Sequence, residues 1–346
     1  MKDSRTPTPS VSVVIPVKDT IELLDQQLKA LAAQDYRGHF ETIISDNGGS
    51  TELAHHAATH PLRELLNLRY VNSSAVPGPA FARNRGAEEA SGFFLAFCDA
   101  DDVVYENWIT ALTSLAQHHD VVGTAVETST INSAKARAWT PASPPEHQGR
   151  SSFLPFAIGA SLGCCADVYR DLGGMDSHFI ASEDVEFSWR AQLAGYSLGF
   201  SEQQLVAYRL RSELRPLVRQ AYNLGFGFAK LQGTYREKGC PPVDIKRVVY
   251  FWTLLLLGNP LVPSRITKVS RGQWARAVAA HTGEMVGGLK FRTFGWPRTK
   301  QSSRDSALSS ASSRVQHEPA TTSTRHKSGD STHSMRNAQF LFDERS

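Results

Sequence analysis

The sequence predicts an α/β protein: a mostly parallel sheet with helices on both faces, followed by a helical extension. Three observations carry this. Short β-branched, nearly all-apolar runs recur, as strands covered on both faces require. Segments between them place apolar residues at helical spacing. Strand and helix then alternate from about residue 11 to residue 126, the pattern of a parallel sheet.

The first strand is Val11-Ser12-Val13-Val14-Ile15-Pro16-Val17. In the helix after it, Ile21, Leu24, Leu28 and Leu31 share one face, and Thr20 is placed to cap its start. Phe40-Glu41-Thr42-Ile43-Ile44 is the second strand, ending at Ser45-Asp46-Asn47-Gly48-Gly49-Ser50; a helix with Leu53, Ala57 and Ala58 follows. Leu68-Arg69-Tyr70-Val71 is the third strand. The segment from Pro79 to Ser91 is helical, with a small face of Ala82, Gly86 and Ala90 suited to lying close on the sheet. Its Pro77-Gly78-Pro79 entry aims free N–H groups at the strand ends, where an anion is favoured, and Arg83 and Arg85 add positive charge; a solvated basic helix is the plainer alternative.

The fourth strand, Phe93 to Cys98, stops at Asp99-Ala100-Asp101-Asp102. Burying so much negative charge is costly, so these acids belong at the open end of the strand. Like charges this close call for a cation between them. A hard divalent ion, Mg²⁺ or Mn²⁺, held by one or two carboxylates and completed by phosphate oxygens, meets that need. A solvated acidic turn is the rival reading. A helix from Tyr105 to Ala116 and a strand Val121 to Val126 follow, then a Pro-, Ser- and Gly-rich loop over 139–151. Phe156 to Cys165 is apolar and dotted with glycine: either backbone approaching a ligand or a core strand. After a turn at Leu172 to Asp176, Val185, Trp189 and Leu193 mark a helix that Gly195 stops. Glu183 and Asp184 open that helix, as N-terminal caps or as a general base.

Composition narrows the class. The chain has 346 residues, 41% hydrophobic and 21% charged, and its net charge of +3 gives no case for nucleic acid. The first ten residues contain no apolar stretch of the kind a signal peptide needs, and the four cysteines show no metal spacing, which predicts a reducing, cytoplasmic setting.

Taken in order, these segments resemble the family 2 glycosyltransferases, inverting enzymes of the A-type (GT-A) fold with a Rossmann-like sheet. The resemblance is carried by Val13 to Val17, Asp46-Asn47-Gly48-Gly49-Ser50-Thr51, Gly78 to Gly86, Ala90 to Asp102, and Glu183-Asp184, and runs from about Val11 to Tyr208. It implies a nucleotide-diphosphate sugar donor, with Pro16, Val17 and Asp46 at the nucleotide base and Arg83 and Asn84 at nucleotide or diphosphate. It places Asp99 near ribose and metal, Asp101 on the metal, and Asp184 as the base of the Glu183-Asp184 pair. The family often has Asp-Asp where this chain has Asp46-Asn47. The Gln-x-x-Arg-Trp of processive synthases is missing, which implies addition of a single sugar to a hydroxyl acceptor: a glycan, a lipid-linked molecule or a small molecule, in the manner of surface polysaccharide or glycolipid synthesis. Two rivals stay open. A sugar-phosphate nucleotidyltransferase would carry a Gly- and Arg-containing loop where Pro16-Val17-Lys18-Asp19-Thr20 stands. A non-catalytic nucleotide-sugar-binding protein would lack a metal or base carboxylate.

The expected organisation is a flexible N-terminus (1–10), a catalytic domain (11–210), a helical region (211–298) and a disordered Ser/Thr/Arg-rich tail (299–346). Within the third, Val248 to Leu257 is the most apolar stretch, too short to cross a bilayer. Lys246, Arg247, Arg265, Lys268 and Arg271 flank it, which suits peripheral contact with the inner face of the plasma membrane; a buried core helix is the alternative.

Overall fold

A computed structural model describes residues 10–18, 20–259 and 269–295. Asp19, Arg265, Lys268, most of the N-terminal segment and the tail expected at 299–346 lie outside these residues.

The chain runs β1 (Val11–Val17), α1 (Ile21–Ala32), β2 (Phe40–Asp46), α2 (Thr51–Thr59), β3 (Leu68–Asn72), α3 (Pro79–Glu88), β4 (Phe94–Phe97) and a short β5 (Val103–Val104). It continues with α4 (Trp108–Leu115), β6 (Val121–Glu127), α5 (Ala134–Trp139), β7 (Leu162–Cys165), α6 (Ala166–Asp171), α7 (Glu183–Leu193) and β8 (Leu198–Ala207). The strands form one sheet in the order β3-β2-β1-β4-β7-β6-β8-β5. Its parallel pairs are β1 with β2 and β4, β2 with β3, and β6 with β8. β7 and β5 run against their neighbours.

Alternation along β1 builds two cores. Val11, Val13, Ile15 and Val17 face one side, with Leu24, Leu28, Leu31 and Trp108. Val14 faces the other, with Ile43, Phe97, Tyr169 and Phe187. Each large side chain so buried contributes roughly 1.5–3 kcal/mol. Gly86 lets α3 lie directly on β1, since a Cβ there would run into Val14.

Several local expectations change. Phe93 is 77% exposed and precedes the strand rather than joining it. Thr20 starts α1 without a side-chain cap. Leu193 is largely exposed. Helix α7 is clasped from two sides instead: Phe187 and Ala191 face the sheet, and Val185 and Trp189 join a third cluster with Leu231 and Tyr235. β8 was not visible in the sequence because Ser201-Glu202-Gln203-Gln204 is polar, and its pairing with β6 shifts register there. The four cysteines are free thiols.

The extension comprises α8 (Leu214–Thr234), β9 (Val243–Asp244), α9 (Ile245–Leu257), α10 (Arg271–Phe291) and β10 (Phe294–Gly295). Helices α8 and α10 meet backbone to backbone: a Cβ at Gly225 would strike the Ala280 carbonyl, and one at Gly283 the Tyr222 carbonyl. Among the described residues no helix is long and apolar enough to cross a membrane. Only Leu255 of α9 is fully buried, while Val249, Tyr250, Leu256 and Leu257 are exposed, so α9 is not a core helix.

Candidate active site

The carboxyl ends of β1, β2, β3, β4, β6 and β8 open along one edge of the sheet, and the oppositely directed β5 and β7 begin there. Ligand sites of such sheets lie beyond that edge. It brings together segments 99–102, 158–161 and 208–211, which are far apart in sequence. A cleft of about 450 Å³ there is lined by Asp99, Arg83, Gly159, Glu183, Asp184 and Arg211, with α8 as one wall.

Arg83 holds the cleft together. Its side chain is only 4% exposed and forks between Glu183 Oε1 at 2.6 Å and Asp99 Oδ1 at 2.7 Å. Burial opposes that charge, but the carboxylates of Asp99, Glu183 and Asp184 outweigh it, so the guanidinium titrates above its ordinary value. The acids feel the reverse. Burial pushes Glu183 up to about 7 against the pull of Arg83, and raises Asp99 likewise. Arg85, by contrast, pairs with Glu88 on the surface.

Asp184 occupies the first turn of α7. Its Oδ2 accepts the Gly159 N–H at 2.7 Å and its Oδ1 the Val185 N–H at 2.8 Å. Gly159 leaves little room here: a Cβ would lie 3.0 Å from the Arg83 guanidinium and 3.3 Å from the Asp184 carboxylate, so either would have to shift to admit a side chain. Ser182, the residue before the helix, sits in the left-handed region (φ 66°) and makes no side-chain cap. Asp184 Oδ1 thus serves a first-turn N–H as a cap would, while its Oδ2 and the Glu183–Arg83 pair reach outside the helix, which capping by itself does not require. A carboxylate has about four lone-pair sites, so two accepted bonds leave Asp184 able to take a proton in the cleft.

The acidic loop is fixed from behind. Gln27, wholly buried on α1, donates to the Asp99 carbonyl and accepts from the Val104 N–H. Asp102 is buried, accepts the Arg209 N–H through Oδ1, and leaves Oδ2 without a partner. Burial raises its carboxyl well above the usual range, and Asp99 and Asp101 add to this. Arg209 also donates to the Asp101 carbonyl and to Gln26, and Arg211 pairs with Asp101 Oδ2 at 2.7 Å. The hard oxygens of Asp99 and Asp101 suit a hard divalent cation. No three acids of the cleft bring ligand atoms within 4.8 Å of one another among the described residues, so this conformation offers such an ion fewer than three carboxylates.

The other residues singled out in the sequence fare differently. Pro16, Val17 and Asp46 meet at the same sheet edge, with Val17 paired to Asp46, yet none lines the cleft. The Asp46 carboxylate is buried and accepts from Gly48, Gly49 and Ser50 N–H groups and from the Tyr70 hydroxyl. It organises its own loop. Asn84 is not brought to the cleft either: it accepts from Tyr169 Oη and the Met175 N–H and donates to the Met175 carbonyl. Asn47 explains the missing second Asp. It donates to the carbonyls of Ser73 and Val76 and accepts the Gly78 N–H, and no carboxylate could donate those bonds.

A separate cluster joins α1 to α2. Asp25, His56 and His60 hold potential ligand atoms within 4.8 Å of one another, as a divalent cation would require. Asp25 Oδ1 lies 2.7 Å from His56 Nε2 and 3.3 Å from His60 Nε2. His60 Nδ1 accepts the Leu62 N–H, which leaves the ring proton on Nε2, facing Asp25. In this arrangement the cluster is a hydrogen-bonded strap.

Comparison with known proteins adds to this geometry. The profile described as "Glycosyl transferase family 2" matches residues 12–171. Glycosyltransferase AglE of Haloferax volcanii is 30% identical over 226 residues, 63% of this chain and 73% of AglE. The chain belongs to glycosyltransferase family 2. Among other family relatives, the succinoglycan biosynthesis protein ExoA of Rhizobium meliloti is 28% identical over 66% of this chain and 71% of ExoA. The pre-mycofactocin glycosyltransferase of Mycobacterium tuberculosis is 26% identical over 72% of this chain, which spans only 53% of that relative. In fold, this glycosyltransferase chain is similar to a mannosyltransferase from Pyrobaculum calidifontis solved with GDP-Man and Mn²⁺. The TM-score is 0.54 at 18% identity, covering 81% of this chain and 88% of that one.

Proposed function

We propose that this family 2 glycosyltransferase transfers one sugar, with inversion, from a nucleotide-diphosphate sugar to a hydroxyl acceptor, with Asp184 as general base. The observation that carries the reading is the convergence of Asp184 and Asp99 on one cleft, locked by the Arg83 fork between Glu183 and Asp99. Asp184 takes the proton of the acceptor hydroxyl as its oxygen attacks the anomeric carbon. Glu183 touches Arg83 rather than open cleft, so its part is to hold that arginine. Asp101, with Asp99, would hold Mn²⁺ or Mg²⁺; when bound, the ion neutralises charge developing on the departing diphosphate. The mannosyltransferase of similar fold was solved with such a pair of ligands, which supports the choice of donor and ion. The acceptor is a glycan, a lipid-linked molecule or a small molecule; the name of the succinoglycan biosynthesis protein ExoA supports the first.

Release of nucleotide from a panel of nucleotide sugars should require Mn²⁺ or Mg²⁺ and vanish in the Asp101→Ala protein. Full activity in excess chelator would remove the metal from the reading. No release from any sugar, despite tight binding, would favour a non-catalytic binding protein.

We further propose that α9 rests on a membrane surface. Its exposed Val249, Tyr250, Leu256 and Leu257 carry this reading. The protein should sediment with anionic vesicles, less so at high salt. Replacing Leu256 and Leu257 by Ser should release it without lowering the melting temperature. Unchanged sedimentation would exclude α9 as the contact.

A further inference from the structure

Three arginines line the cleft, Arg83, Arg211 and Arg219, and the two that pair with acids at this sheet edge are held very differently. Arg83 is buried between two carboxylates. Arg211 is 40% exposed and, among the described residues, has a single ion-pair partner, the 17% exposed Asp101. It lines the cleft from the irregular segment between β8 and α8. That segment is itself anchored: Arg209 bonds Asp102, Asp101 and Gln26, and the Leu210 N–H bonds Asn132. The tether is fixed, and the partly exposed guanidinium at its end has one ion pair to break before it can turn.

We propose that Arg211 is an internal counter-cation, seated on Asp101 in the empty enzyme and passed to the donor diphosphate when a divalent ion takes that carboxylate. This rests on the reading of Asp101 as the cation ligand. Arg211 sits 2.7 Å from Asp101 Oδ2, so a divalent ion that takes this oxygen displaces the guanidinium, and one that takes the other oxygen is repelled by it at close range. The displaced fork is suited to phosphate oxygens, which arrive with the donor. Ion alone then binds against a competitor, and ion and nucleotide help each other, a reciprocal coupling between two ligands.

The experiment measures Mn²⁺ binding to the full chain by electron paramagnetic resonance, and UDP and GDP binding by calorimetry with and without Mn²⁺. The wild type, Arg211→Met, Arg211→Lys and Asp101→Ala proteins are compared, each checked by its melting curve. Arg211→Met should bind Mn²⁺ alone on the order of tenfold more tightly than wild type, and nucleotide in saturating Mn²⁺ on the order of tenfold more weakly. Arg211→Lys should fall between. These changes have opposite sign, which a general loosening of the cleft does not produce. Unchanged or weaker Mn²⁺ binding by Arg211→Met, or no Mn²⁺ binding by either protein, overturns the proposal. Mn²⁺ binding that survives Asp101→Ala unaltered, read in a protein that also carries His56→Ala to silence the Asp25–His56–His60 cluster, instead sinks the assignment of Asp101. If neither nucleotide binds the wild type, the comparison with Mn²⁺ alone still decides.

Discussion

Asp184→Asn should keep donor affinity and melting temperature near wild type while turnover falls by about 10²-fold or more. The amide oxygen of Asn can still accept the Gly159 N–H, but its NH2 cannot accept the Val185 N–H, so the local cost is the loss of one hydrogen bond, about 1 kcal/mol. What Asn lacks is the basicity to take the acceptor's proton. On the proposed reading the base acts on the acceptor, so donor binding is spared. Steady-state turnover, a melting curve and donor calorimetry on the same preparation separate these effects. Near-normal turnover would end the assignment, and the nearby acids offer weak substitutes. Glu186 is buried and already accepts from Tyr235 and Arg190, while Asp176 bonds His178 in an exposed turn.

Arg83→Met should cost about 3 kcal/mol of stability, the low end for a broken buried pair, because it leaves the buried Glu183 and the 30% exposed Asp99 without their counter-charge. The loss should depend on pH. With a folded-state value of about 7 against an unfolded 4.5, Glu183 binds its proton more tightly in the folded protein. Its contribution is therefore complete below about 4.5 and is lost as pH rises through 7. Without Arg83 the folded value moves higher still, so the variant should recover relative to wild type as pH is lowered from 8 toward 5. Denaturant melts across that range test this. A loss under about 1 kcal/mol at pH 8, or one independent of pH, would mean that water or another cation already compensates those acids.

The parallel half of the sheet was legible because its strands are β-branched and its helices amphipathic, both local signals. The apolar run that ends at Asp99 pointed correctly to the open edge. Asp46 and Asn84 looked like ligand contacts, but turn geometry and a buried tyrosine claim their side chains, and neither partner is predictable from spacing. Gln27 did leave a signal. It lies on the buried stripe with Leu24, Leu28 and Leu31, where a polar residue needs a partner. Arg209 and Arg211 bond residues over a hundred positions away, and only the chain's return to the sheet edge after β8, a polar strand the sequence hid, joins them.

The glycine contact between α8 and α10 changes what counts as the enzyme. Sequence places a border near residue 210, yet α8 supplies a wall of the cleft, and α10 fixes the height of that wall by direct backbone contact. The extension is therefore a jig against which one side of the cleft is set. A larger residue at Gly225 or Gly283 would leave the acids where they are and push the wall outward, changing the dimensions of the cleft rather than its chemistry.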